Sequence, residues 1–121
     1  CLSGAVWAMG LDIDVSDVFS IVGTYDCEGV AANQTNYSGT VEIMRRGDAY
    51  LVKWTVGTKK EVFHGLGVRD GDVLAVCYFG GHEGVVLYRI RRSGRMVGKW
   101  TGVPSDPKVL PVVFTETLTK R

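Results

Sequence analysis

The chain has almost no excess charge. Lys and Arg number 14 against 13 Asp and Glu, a net charge of +1, too weak a field to draw in nucleic acid or an anionic membrane. Histidine is nearly absent: His64 and His82 lie far apart, and only Glu83 stands beside either. Neighbours on an extended chain point to opposite faces, so no metal-ligand spacing exists, and no metal or other cofactor is expected. Neither a nucleophile motif nor a phosphate-cradling glycine loop followed by a helix occurs, so no catalytic residue is assigned and no enzyme is expected. No apolar run approaches about 18 residues, which excludes a transmembrane helix. Three Cys cannot make a disulfide framework. Proline is also rare, at 3 residues against 16 Gly. Many Gly and few Pro suit strands joined by tight turns.

With 121 residues there is room for one domain. Residues 1–18 read as a separate apolar and acidic segment. Residues 1–10 are uncharged and rich in small side chains, like the tail of a secretory signal, with Val6 and Ala8 at plausible positions before a cleavage site. The alternative is a short apolar helix packed on the domain. Export to the periplasm or the extracellular space is therefore expected, with Cys1 a candidate lipid-modified cysteine. Residues 12–17 are acidic and suit a capped turn before the first strand.

From residue 19 to 121 the signal is β. Residues 20–25 are rich in β-branched side chains, and residues 27–36 read as a loop. Residues 37–43 alternate with period two, and so do residues 50–56, which place Tyr50, Val52, Trp54 and Val56 on one face. Residues 61–68 form another strand, where Gly65 and Gly67 suggest a bulge or bend. Residues 73–79 are nearly all apolar, so this strand is expected to be well covered. Strands follow at 85–90, 96–101 and 109–118, the last with Pro111 near its start. Turn glycines Gly47, Gly71 and Gly94 recur at an almost constant interval, which looks like a repeated hairpin. The reading is an all-β fold: an antiparallel up-and-down meander of about eight strands, closed into a small barrel so that no edge is left bare. A strongly curved open sheet is the alternative. In the barrel, Cys27 and Cys77 sit on opposite walls and stay unbridged.

Several stretches carry a resemblance. Gly23-Thr24-Tyr25 is similar to the Gly-x-Trp first strand of lipocalin and streptavidin-like barrels. The series Gly23-Thr24-Tyr25, Tyr37-Ser38-Gly39-Thr40-Val41, Tyr50-Leu51-Val52-Lys53-Trp54, Gly65-Leu66-Gly67-Val68, Leu74-Ala75-Val76-Cys77-Tyr78, Gly84-Val85-Val86-Leu87-Tyr88 and Gly98-Lys99-Trp100 resembles small exported bacterial proteins labelled fibronectin-binding-like. That resemblance implies an exported β domain and transfers no catalytic residue.

Aromatics on the strands are the most informative group. Tyr25, Tyr37, Tyr50, Trp54, Tyr78, Tyr88 and Trp100 either pack a core or line a ligand pocket in the barrel mouth, their hydroxyl and indole groups orienting a small apolar or aromatic ligand. Trp54 and Trp100 each close a returning strand a similar distance after a turn glycine, so both are expected at one end of the barrel. Arg46-Gly47-Asp48 spells an adhesion tripeptide at a hairpin tip, which keeps an extracellular protein partner in view. Asn33-Gln34-Thr35 and Asn36-Tyr37-Ser38 match the N-glycosylation acceptor pattern and otherwise read as a polar loop. The leading expectation is an exported binding domain, and the second is a protein-interaction or adhesion module.

Overall fold

A computed structural model of the chain describes residues 20–31 and 33–121. The expectations for residues 1–18, including Cys1 and the export segment, lie outside the described residues.

Every regular element among the described residues is a strand: β1 (Gly23–Val30), β2 (Asn36–Arg46), β3 (Ala49–Val56), β4 (Glu61–Asp70), β5 (Val73–Phe79), β6 (Gly84–Ile90), β7 (Met96–Gly102) and β8 (Phe114–Lys120). Each pairs antiparallel with the next. β8 closes the sheet onto β1 through Tyr25↔Lys120 to Gly29↔Glu116. The expected meander and its closure are both present. Gly47, Gly71 and Gly94 stand at the tips of the β2–β3, β4–β5 and β6–β7 hairpins with positive φ, the conformation a short hairpin turn demands. These three tips define one end of the barrel, here the lower end. The β1–β2 connection and the loops 57–60, 80–83 and 103–113 define the upper end.

Period two sorts each strand into an inner and an outer face. The inner face buries Tyr25, Cys27, Val41, Ile43, Tyr50, Val52, Trp54, Leu74, Val76, Val86, Tyr88, Met96 and Leu118. The lower half is filled. Ile21 tucks under the barrel, and its carbonyl accepts the Tyr25 hydroxyl at 2.7 Å. Burial lifts the Tyr25 pKa to about 12, with Arg69 opposing the rise.

Inward glycines leave room for the aromatics. An added Cβ at Gly29 would lie 2.3 Å from the Tyr37 ring, at Gly65 2.8 Å from Trp54, at Gly84 2.5 Å from the Tyr78 hydroxyl, and at Gly98 2.8 Å from Tyr88. None of these four has positive φ, so space, and not backbone freedom, requires glycine there. The bulge expected at Gly65 and Gly67 is corrected accordingly: β4 pairs without interruption from Tyr50↔Gly67 to Val56↔Glu61.

Two boundaries differ from expectation. Residues 27–30 belong to β1 and not to a loop, because Cys27 and Gly29 face inward against Gly39 and Tyr37. The last strand begins at Phe114, not at residue 109. Pro104, Pro107 and Pro111 deny residues 103–113 a regular ladder. β5 is less well covered than expected: Leu74 and Val76 are buried, but Ala75, Cys77 and Phe79 point outward and are exposed. Cys27 is buried and Cys77 exposed, and both are free thiols.

Candidate functional site

The upper half of the barrel is not filled. A cavity of about 620 Å³ opens there, lined by Tyr37, Trp54, Val56, Phe63, Tyr78, Val86, Trp100 and Phe114 from the strands. His82 and residues 109–112 contribute at its rim. The proline-rich 103–113 loop brings its apolar side chains over this end without pairing them; Leu110 is 82% exposed.

Inside, the rings form a connected set. Trp100 meets Phe114 at 5.0 Å, Tyr37 at 6.3 Å and Tyr78 at 6.5 Å between centroids. Tyr78 meets Trp54 and Phe63 at 6.1 Å each, in edge-to-face geometry. These are the separations and tilts that aromatic quadrupoles favour.

One carboxylate sits at the floor. Glu116 occupies an inward position of β8 between Phe114 and Leu118 and is 5% exposed. Tyr37 donates to its Oε1 at 2.7 Å. Tyr88 donates to Oε2, as does the Trp54 indole at 3.2 Å, and Trp54 also donates to the Tyr88 hydroxyl at 3.0 Å. Both carboxylate oxygens therefore act as acceptors. A buried charge that lacks these partners would be costly.

The network marks its neighbours electrostatically. Burial first, and then the charge of Glu116 and a hydrogen bond to it, push the Cys27 thiol and the Tyr37 hydroxyl far above their ordinary values. Tyr88 rises strongly for the same reasons, tempered by Trp54. Tyr78 rises through burial and the Glu116 charge. The Trp100 indole lies beside the Tyr37 hydroxyl, close enough to temper its rise. Its N–H is buried and reaches no acceptor at hydrogen-bond geometry.

Of the residues singled out from sequence, Trp54, Tyr78 and Trp100 line the cavity, so the two tryptophans do share the upper end. Tyr88 lies beneath it, fully buried against Glu116. Tyr25 and Tyr50 belong to the filled lower half: Tyr25 bonds to Ile21, and Tyr50 packs under the Arg45 guanidinium at 5.8 Å. Lower-end tyrosines look identical in sequence, because period two gives the face but not the height along the barrel. Arg46, Gly47 and Asp48 are exposed at the β2–β3 tip, on the end opposite the cavity.

Tyr37, grouped with these aromatics in the sequence, also lines the cavity; sequence reasoning missed Phe63, Phe114 and Glu116 as site residues. Glu116 carried a readable signal, a charge at an inward position flanked by Phe114 and Leu118. Among the described residues no group of three or more His, Cys, Asp or Glu could hold a metal ion.

No protein-family model matches the chain, and no curated protein matches it either. Among solved structures, that of EF1p2_mFAP2b bound to DFHBI is similar, with a TM-score of 0.62 at 12% identity, over 84% of this chain and 94% of that one. At that identity the likeness establishes the shared barrel fold. It brings no support to the fibronectin-binding resemblance.

Proposed function

We propose that this domain binds a small apolar or aromatic ligand in the upper half of its barrel, and that its role is binding and not catalysis. The observation that carries the reading is the aromatic-lined cavity above the buried Glu116 network. A cavity of this size falls in the range that small-molecule sites occupy, and a few polar groups on apolar walls are their usual lining. EF1p2_mFAP2b, with a similar barrel, is bound to DFHBI, which supports the capacity of this architecture to house a ligand.

The test uses acetonaphthone, which offers a flat apolar body and one carbonyl. Titration followed by side-chain NMR should shift the Trp54 and Trp100 indole resonances saturably and leave the lower core around Met96 unmoved. Trp100→Leu, which removes an aromatic ring from the cavity wall, should weaken binding by up to about tenfold, the worth of one aromatic contact. Indole resonances that stay fixed up to the solubility limit would reject the reading.

A second reading has its own observation. The outer faces of β4, β5 and β6 present Leu66, Val68, Phe79, Val85 and Leu87 as exposed neighbours, with Leu66↔Cys77, Val68↔Ala75, Ala75↔Leu87 and Cys77↔Val85 in register. A patch of this kind suits a protein partner. The exposed Arg46-Gly47-Asp48 tip gives such an adhesion or interaction module a further contact point. Export is part of the same proposal, supported by the uncharged, small-residue-rich stretch 1–10. Fractionation of cells expressing the full-length protein checks it.

A further inference from the structure

The cavity combines two features that select a ligand by charge. Its lining includes two carboxylates, Glu116 at the floor and Glu61 near the rim, and neither Lys nor Arg. Its walls are aromatic faces and edges, with Tyr78 in contact with both Trp54 and Trp100. Aromatic faces attract cations within about 6 Å of a ring centroid. A buried charge acts across a low dielectric with little screening. Both terms favour a positive ligand and disfavour a negative one.

Glu116 narrows the class further. A carboxylate has about four acceptor sites. Tyr37, Tyr88 and Trp54 occupy three of them, and the Cys27 thiol is a fourth hydrogen-bonding neighbour. Glu116 thus offers its field and almost no free acceptor. A primary ammonium entering the floor would leave N–H donors unpaired, at the cost of an unsatisfied buried group. A tertiary or quaternary ammonium carries charge with few or no donors to satisfy, and its methyl groups suit aromatic walls.

Resting on the ligand-pocket reading above, we infer that the site selects an apolar organic cation of the tertiary or quaternary ammonium class, held by the Trp54–Tyr78–Trp100 wall over the Glu116 carboxylate.

The experiment compares four probes on the wild-type chain by the same NMR titration: acetonaphthone and its trimethylammoniomethyl, aminomethyl and sulfonate derivatives. The trimethylammonium compound should bind at least about tenfold more tightly than the neutral parent, as an aromatic wall and a buried charge together supply. The aminomethyl compound should bind more weakly than the trimethylammonium compound, and the sulfonate most weakly. The preference should persist in high salt, because the charge that sets it is buried. Equal binding of parent and cation, tighter binding of the primary amine, or tighter binding of the sulfonate would overturn the inference while leaving the pocket reading intact. No shift of the Trp54 and Trp100 resonances with any probe would overturn both. In Glu116→Gln, checked for folding by its melting transition, the ratio of cation to parent affinity should collapse towards one. A folded Glu116→Gln that keeps the preference would refute the role of this carboxylate. If Glu116→Gln does not fold, the wild-type ranking decides alone.

Discussion

Gly98→Ala places a single methyl group where Tyr88 already lies. The added Cβ would stand 2.8 Å from both Cδ1 and Cε1 of the Tyr88 ring and 3.4 Å from the Glu116 carbonyl oxygen. Carbon atoms pack at about 3.5–4.0 Å, so the ring must retreat by roughly 0.7 Å or more. It has nowhere to go: Tyr88 is 0% exposed, and its hydroxyl is tied to Glu116 and Trp54. Overpacking of this kind costs about 1–3 kcal/mol. If the ring swings away instead, a hydrogen bond to a charged group is lost, worth about 1.5–3 kcal/mol. The reduced freedom of the unfolded chain returns about 0.5–1 kcal/mol. By either route the net expected loss is about 1–2 kcal/mol, a drop of about 0.5–1.5 M in the urea midpoint. Gly47→Ala is the control: its φ is +59° and nothing lies within 4 Å. There the cost is left-handed strain, about 1–2 kcal/mol, less the same return of about 0.5–1 kcal/mol from the unfolded chain. The reasoning requires the Gly98 variant to lose at least as much as the Gly47 variant. It also requires the Gly98→Ala penalty to shrink when Tyr88→Leu removes the ring, a non-additivity that a double-mutant cycle measures. A Gly98→Ala protein as stable as wild type would refute it.

Other predictions concern the same core. Trp54→Ala should cost about 3–5 kcal/mol in urea unfolding and should also abolish acetonaphthone binding, because the ring is both buried and at the cavity wall. The pKa values of Tyr25, Tyr37, Tyr78, Tyr88 and Cys27 are all raised on folding. Each group holds its proton longer folded than unfolded, so their stabilisation is complete below the unfolded values, about 8.5 for Cys and 10 for Tyr. It should be lost as pH climbs through and beyond that range, with tyrosinate absorbance appearing together with unfolding; early tyrosinate absorbance from all the tyrosines of a still-folded protein would contradict this. Iodoacetamide should label Cys77 in the native protein and Cys27 only in denaturant, as read by peptide mass spectrometry, since Cys27 is buried and its thiolate is opposed by Glu116.

Much of this fold can be read from alternation alone. Residues 50–56 place Tyr50, Val52 and Trp54 on the inner face as period two requires, and Gly47, Gly71 and Gly94 mark three hairpin tips. Inward glycines are less legible. Gly29, Gly65, Gly84 and Gly98 look like strand breakers by propensity, yet their role appears only when a cross-strand or neighbouring ring is placed over them. The site was half legible: Trp54, Tyr78 and Trp100 were identified with Tyr25 and Tyr50, which the barrel keeps at its other end. Glu116 could be found from its flanking Phe114 and Leu118, but its donors come from three distant strands that only closure of the barrel brings together. Residues 109–113 mimic a strand by composition, and three prolines turn them into the rim of the cavity.

The central claim is that the upper barrel is an open ligand site and the lower barrel is packed core. Its most direct test is the chemical-shift map of acetonaphthone binding over the whole chain. The account predicts saturable shifts confined to Tyr37, Trp54, Phe63, Tyr78, Trp100, Phe114 and the 103–113 loop. Shifts confined to the outer face at Leu66, Val68, Phe79, Val85 and Leu87, with the Trp100 indole unmoved, would contradict it.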